Sequence, residues 1–161
     1  DMTEQAPNAH LTAAIWHWDV YYQAAIETAM TCGGAENFVT EMGGNAYYAG
    51  LSEGFVDAST LNELVAAPGT AAAMEAVREL IDSGEWDVFS GVKLNITVDA
   101  EAGTAAVEQV DAPLMSDGYE LKDGEVVEMA NPEIVPAGGA SVTDDVIKSG
   151  MNYNVAGVVE G

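Results

Sequence analysis

The sequence is poor in cysteine and in basic residues, and each shortage excludes a class of protein. Cys32 is the single cysteine among 161 residues, which excludes a disulfide within the chain and a cysteine-based zinc site. Lys and Arg together number 4 against 27 Asp and Glu, and the net charge is −23. Nucleic acid is therefore not an expected partner, because its phosphates are bound by Lys and Arg. No apolar run approaches the roughly 20 residues that span a bilayer.

The excess of carboxylates is too large for ion pairing to neutralise, and three interpretations of it remain open. Dense carboxylates repel one another at low salt, and added salt screens that repulsion, which fits a host that lives in salt or seawater. An ordinary acidic protein outside the cytoplasm is the second interpretation. Calcium binding is the third, and no Asp-x-Asp-x-Asp-Gly loop supports it. Hydrophobic residues make up 48% of the chain, which is enough for a folded core.

Hydrophobic spacing predicts alternating short strands and helices in the first part of the chain. The predicted elements are a buried strand over 11–16, a helix over 20–30, a strand over 51–57 and a helix over 70–83. The last of these is the clearest, since Pro68 precedes it and Gly84 follows it. On its polar side, Glu75 and Arg78 are three residues apart and are expected to pair.

The second part of the chain has the period of strands. Apolar residues alternate over 92–98, and residues 104–110 are expected to pair with them across a turn at Ala102-Gly103. Lys122-Asp123-Gly124 predicts a hairpin over 119–129, because Asp-Gly favours tight turns. A short helix over 144–149 with Ser141 or Thr143 as its N-cap, and an apolar segment over 151–159 that packs, complete the predicted elements.

The sequence contains no familiar catalytic or metal-binding motif, so an enzyme is not expected. There is no Gly-x-Ser-x-Gly elbow, no Walker A loop and no His-Glu-x-x-His. His10 and His17 are seven apart, and in a strand that odd spacing places them on opposite faces, so no metal site is expected. Cys32 has no second sulfur nearby and is expected to be a small buried residue. Asn95-Ile96-Thr97 matches the glycosylation sequon, a triplet that often arises by chance.

The most distinctive local pattern is an aromatic cluster that follows the first predicted strand. Four aromatic residues fall within seven positions of a chain that is 7% aromatic: Trp16, Trp18, Tyr21 and Tyr22. His17, Trp18 and Asp19 are predicted to lie in the loop at the carboxyl end of the strand, where open α/β sheets bind ligands. Aromatic rings stack on a nucleobase, and Asp19 or Asp1 would accept hydrogen bonds from the ligand. The alternative is that the aromatic rings belong to the core.

Four stretches of sequence, in order along the chain, share a resemblance to known proteins. They are residues 1–12 with 15–22 (including Trp16-His17-Trp18-Asp19-Val20-Tyr21-Tyr22), 48–57 (with Gly50-Leu51-Ser52-Glu53-Gly54-Phe55-Val56), 81–91, and 135–138 with 151–161. Together they resemble the C-terminal half of the basic membrane lipoprotein family. These are the PnrA-like (BMP) substrate-binding proteins of ABC importers.

The resemblance implies an α/β protein with a partial periplasmic-binding-protein type I fold, the second half of two lobes that close over a ligand. Residues 1–91 would form the α/β portion of the lobes, and residues 92–134 an added acidic β-rich insertion. Residues 135–161 would be a closing segment that packs on the lobes. The missing N-terminal half of the same protein would supply the other wall of the cleft.

The function that the resemblance implies is capture of a purine or nucleoside-like ligand for an ABC permease, without catalysis or cofactor. The protein would be periplasmic or extracellular and anchored through a lipid-modified N-terminal segment. The expected ligand-binding residues are Trp16 and Trp18, by stacking, with Asp19 and Asp1 as polar partners. Trp16 stands where nucleoside-binding members often carry a polar or basic residue, which favours base stacking over ribose recognition. The alternative is a structural or surface-interaction protein that reuses this half-fold and assembles through residues 92–134.

Overall fold

The structure is a computed structural model that describes residues 2–158, with 25% of residues in helices and 26% in strands. The strands are β1 (Ala14–Trp16), β2 (Val56–Ala58), β3 (Val92–Asp99), β4 (Thr104–Asp111), β5 (Leu114–Lys122), β6 (Glu125–Glu128), β7 (Glu133–Val135) and β8 (Tyr153–Val155). The α-helices are α1 (Trp18–Thr31), α2 (Phe38–Glu41), α3 (Thr70–Asp82) and α4 (Asp144–Ser149), and a 3₁₀ turn at Ala35–Asn37 precedes α2. The content of helix and strand is mixed, and the α/β class and the two-lobed arrangement stay predictions.

The strands form three small sheets whose pairings, within residues 2–158, are all antiparallel. β1 pairs with β2, β3 pairs with β4, and β5 pairs with β6, β7 and β8. β2 is shorter than the strand predicted over 51–57, because residues 51–54 form a turn in which Gly54 has a φ of 71°. The first two strands are therefore a short ribbon rather than part of a wide sheet.

Both predicted hairpins are confirmed. β3 and β4 pair along their whole length, from Val92 opposite Asp111 to Asp99 opposite Thr104. At the tip of the second hairpin, Asp123 has a φ of 54° and Gly124 a φ of 84°, the pair of positive values that a type I′ turn requires. Local turn chemistry therefore fixes the register between β5 and β6.

Helix α3 begins at the predicted residue, ends at Asp82, one residue before the predicted end, and packs against the β3–β4 hairpin. Its first residue, Thr70, follows Gly69, whose φ of 83° favours glycine. A Cβ at Gly69 would overlap Val98 Cγ1 of β3. The glycine therefore permits the close approach of the helix to the strand.

A backbone junction at Gly91 joins three parts of the chain. The Gly91 N–H donates to the Gly139 carbonyl (3.0 Å), and the Gly91 carbonyl accepts from the N–H groups of Gly138 (2.7 Å) and Ala112 (3.0 Å). A side chain at Gly91 would overlap the Pro136 carbonyl oxygen. The division of the chain into 1–91, 92–134 and 135–161 stays a prediction, and the β5 sheet crosses its second boundary, because β7 spans it and β8 pairs with β5.

Few side chains are fully covered. Among residues 2–158 the buried hydrophobic side chains are Phe55 and Leu114, each 8% exposed, and Val135, 5% exposed. The accessible surface is 11016 Å², against about 7,700 Å² expected for a folded monomer of this mass. The prediction of a buried first strand is wrong, since Ala14 and Trp16 of β1 are exposed in a two-stranded ribbon.

Among residues 2–158, none of the helices combines the length and the apolar character that a membrane span requires.

Candidate functional site

A cavity lined by aromatic rings lies beside β1, β2 and the start of α1. Its volume is about 460 Å³, within the usual range for small-molecule sites. It is lined by Trp16, Trp18, Tyr21, Tyr47, Tyr48, Ala49, Phe55 and Val56. Six of these are aromatic, half of the twelve Trp, Tyr and Phe residues in the chain. We call it the ring-lined cavity.

The junction between β1 and α1 brings the two tryptophans to this cavity. Trp16 ends β1, and Trp18 begins α1. Between them the His17 N–H donates to the Phe55 carbonyl at 2.9 Å, which extends the contact between β1 and the segment before β2. The prediction that Trp18 and Asp19 lie in a loop is wrong, because both belong to the first turn of α1.

The rings contact one another edge to face. The Trp18 ring centroid is 5.8 Å from that of Trp16, 5.7 Å from that of Phe55 and 6.4 Å from that of Tyr21, with interplanar angles of 65°, 88° and 85°. Such pairs add about 0.5–1.5 kcal/mol each beyond the burial of area. Trp18 therefore connects the exposed Trp16 to the better-buried rings.

The rings of Tyr47 and Phe55, in the segment before β2, complete the wall of the cavity. The Tyr47 ring centroid is 5.2 Å from that of Phe55 and 5.3 Å from that of Tyr21. Sequence reasoning missed Tyr47, Tyr48 and Phe55 as site residues. The signal that was present is a pair of tyrosines in a glycine-rich stretch, but nothing local indicates that this stretch meets α1.

A carboxylate stabilises the turn next to these tyrosines. Glu53 Oε2 accepts a hydrogen bond from the Gly50 N–H at 2.7 Å and another from the Ser52 hydroxyl at 3.0 Å. These two bonds, the one from Gly50 first, hold the pKa of Glu53 below its ordinary value. The turn that precedes Phe55 is thus fixed by an ionised side chain at neutral pH.

The four residues predicted from sequence have different outcomes. Trp16 and Trp18 line the cavity and are 63% and 51% exposed, so the alternative that they belong to the core is wrong. Asp19 is exposed on the first turn of α1 and is not among the residues that line the cavity. Asp1 lies outside the described residues.

A charged group lies on the other side of β2. The Arg78 guanidinium donates to both carboxylate oxygens of Asp57, at 2.6 and 3.1 Å, and His17 Nε2 is 3.9 Å from Asp57 Oδ2. The hydrogen bond from Arg78 holds the pKa of Asp57 below its ordinary value. The expected pair between Glu75 and Arg78 is wrong, because Asp57 offers a two-point contact from a neighbouring strand.

A second, larger cavity runs along α3, and we call it the α3 groove. Its volume is about 780 Å³, and its walls come from β2, from the apolar stripe of α3 and from β3. Ala73, Met74, Val77 and Ile81 form that stripe, and the Asp57–Arg78 pair lies among the lining residues. No residue of α3 is buried, so the groove leaves this face of the helix open.

The remaining candidate ligands for metals are dispersed. Within residues 2–158 there is no group of three or more His, Cys, Asp or Glu side chains arranged to hold a metal ion. His10 Nε2 is buried without a hydrogen-bond partner. Cys32 is half-buried rather than buried, and its thiol donates to the Gly34 carbonyl at 3.2 Å.

Comparison with known proteins gives no relative: no family model matches the chain, and neither does any curated protein or any solved structure.

Proposed function

We propose that this chain is part of an extracytoplasmic solute-binding protein of an ABC importer and that its ring-lined cavity binds a purine or nucleoside-like ligand. The observation that carries the proposal is the convergence of six aromatic side chains on one cavity of small-molecule size. The resemblance of four ordered segments to the basic membrane lipoprotein family supports the same function. Binding by stacking uses ring faces and involves no catalytic step.

The cavity is open to solvent, and a second lobe of a two-lobed protein would close such a cleft. The accessible surface of this chain exceeds that of a compact monomer of the same mass by roughly 3,300 Å², so much of its surface is open to a covering partner. A complementary half of the same protein fits this excess. The proposal includes delivery to a permease and anchoring at the membrane by a lipid-modified segment.

Substitution of Trp16 tests the proposal directly. Trp16→Ala removes an exposed ring that contacts Trp18, so we expect affinity for guanosine, adenosine or inosine to fall about 5- to 150-fold, the equivalent of about 1–3 kcal/mol of stacking. Isothermal titration calorimetry measures the change.

Tyr119→Ala is the matched control, because Tyr119 is 53% exposed on β5 and does not line the cavity. Equal affinities for the original chain, Trp16→Ala and Tyr119→Ala would remove Trp16 from the site. Failure of every nucleoside to bind the folded chain would contradict the proposed ligand class.

One observation favours the alternative of a surface-interaction protein. Tyr119, Leu121 and Val126 are exposed on one face of the β5–β6 hairpin, since Leu121 and Val126 are directly opposite each other. A defined homo-oligomer in native mass spectrometry, dissociated by Val126→Glu, would favour assembly through this hairpin. A monomer that binds nucleoside would favour transport.

A further inference from the structure

The rings of the cavity that contact one another do so at steep angles. The contacting pairs among the lining residues have interplanar angles between 63° and 88°. A slot that sandwiches a flat base needs two nearly parallel rings on either side of it. No contacting pair is close to parallel, so none of these pairs forms such a slot, and six rings line one small volume.

Several ring faces around one volume favour a cation. The face of an aromatic ring carries the negative part of its quadrupole, so a positive group within about 6 Å of the centroid is attracted, most strongly by Trp. None of the side chains that line the cavity is charged. A cationic ligand would therefore be held by ring faces without a buried carboxylate.

The net charge of the protein also favours a cationic ligand. The chain carries a net charge of −23, and such a field raises the local concentration of cations. Acidic side chains flank the cavity in the sequence, since Asp19 follows Trp18, and Glu53 bonds to the turn that follows Tyr48 and Ala49. The surroundings do not favour an anionic ligand.

One ring of the cavity already contacts an ammonium group of the protein itself. Lys148 Nζ is 4.5 Å from the centroid of the Tyr48 ring, and it donates a hydrogen bond to Asp144 Oδ2 at 2.8 Å. The bond to Asp144 raises the pKa of Lys148, so this ammonium stays charged at neutral pH. Lys148 is not among the residues that line the cavity, so this contact shows that the Tyr48 ring accepts a cation from outside the lining.

We propose that the ring-lined cavity selects a positively charged ligand: a base or nucleoside methylated at a ring nitrogen, or a quaternary ammonium compound. The inference rests on the proposed function for the location of the site and deepens it by naming charge as the selected property. Inclined Trp and Tyr faces supply the selectivity, and the acidic surface supplies the attraction.

Two matched ligand pairs test the inference by calorimetry at one fixed salt concentration and mildly acidic pH. The first pair is 7-methylguanosine, whose base is cationic under these conditions, and neutral guanosine. The second pair is choline and its neutral isostere 3,3-dimethyl-1-butanol. We expect the cation of each pair to bind about tenfold more tightly than its neutral partner.

Variants connect the preference to the rings. Trp16→Leu and, separately, Tyr48→Leu are expected to reduce the preference for the cation, while Tyr119→Leu leaves it unchanged. Circular dichroism checks that each variant is folded, and the use of two independent ring variants keeps the test decisive if one of them unfolds. A preference that survives both ring variants would overturn the inference.

The outcomes separate this inference from the proposed function. Equal affinity for guanosine and 7-methylguanosine, with no binding of choline, would overturn the cation inference and leave the proposed function standing. Binding of choline alone would support the inference and overturn the purine ligand. Absence of binding by all four compounds would overturn both.

Discussion

The ring-lined cavity and the α3 groove share strand β2 and differ in almost every other respect. Val56 lines the cavity, and its neighbours Asp57 and Ala58 line the groove. The groove is the larger, about 780 Å³ against about 460 Å³, and aliphatic side chains dominate its walls. The cavity is smaller and holds half of the chain's aromatic residues.

Size and apolar character alone do not identify a ligand site. An amphipathic helix normally covers its apolar stripe with another layer of structure, and the α3 groove has the composition of such an unfilled layer. The ring-lined cavity offers faces that orient a ligand, which an aliphatic groove does not. The α3 groove is thus a candidate for packing against another layer, and the ring-lined cavity is a candidate for ligand binding.

The largest loss of stability is expected from Gly69→Ala, which disturbs the wall of the α3 groove and leaves the ring-lined cavity unchanged. Alanine must adopt a φ near 83° and its Cβ overlaps Val98, so we expect a loss of about 2–3 kcal/mol in the free energy of unfolding. Urea denaturation measures the loss. Nucleoside affinity of the folded protein should not change.

Gly103→Ala is the control for backbone strain alone. Gly103 has a φ of 65°, and a Cβ there meets no atom within 4 Å, so the loss should be about 1 kcal/mol. Equal losses for the two variants would show that the contact with Val98 does not hold the groove in shape.

A smaller effect is expected from Met74→Ala within the groove. Met74 is half-buried, so the variant should lose less than about 1 kcal/mol, against about 2–5 kcal/mol for a fully covered Met. A larger loss in urea denaturation would mean that another apolar surface covers the groove in solution. A weaker affinity for nucleoside would contradict the separation of the two regions.

The smallest effect is expected from Asp57→Asn, at the polar boundary of the groove. Arg78 lowers the folded-state pKa of Asp57, so the ionised carboxylate stabilises the fold above the unfolded-state pKa of Asp, about 4. This contribution disappears as the pH falls through the folded-state pKa. The melting temperature of Asp57→Asn should therefore lie slightly below that of the original chain at neutral pH and converge with it in acid.

Glu63→Gln, at an exposed carboxylate elsewhere, is the control for loss of one negative charge. Added salt should reduce the difference in melting temperature between Asp57→Asn and the original chain, since Asp57 and Arg78 are both solvent-accessible. If the difference in melting temperature instead grew as the pH fell, Arg78 would not be lowering the pKa of Asp57 in the folded state.

Features set by neighbours in sequence could be predicted, and those set by distant contacts could not. The turn at Asp123 and Gly124 follows from two residues that tolerate positive φ, and α3 follows from its period and its end signals. The pairing of Arg78 with Asp57 could not be predicted, because it depends on how a helix is placed against a strand. For a helix alone, Glu75 was the reasonable partner.

The residues of the candidate site also divide into those that a local pattern identifies and those that only a distant contact brings to the site. Trp16 and Trp18 could be identified because they are concentrated in one short stretch. Tyr47 and Phe55 join them only through the pairing of β1 with β2 and the turn that precedes β2, which no local pattern specifies. Asp19 could not be placed, since its direction depends on where α1 begins.

The central position of β5 has a consequence for the order of events during synthesis. β5 can pair with β6 as soon as both have left the ribosome, but β8 follows more than 30 residues later in the chain. At about 5–20 residues per second, the edge of β5 that β8 covers is exposed for roughly 2–7 s. Asp117 and Glu120 lie on this strand, and charged side chains discourage pairing with strands of other chains. We therefore expect the acidic side chains of β5 to reduce pairing with other chains until β8 completes the sheet.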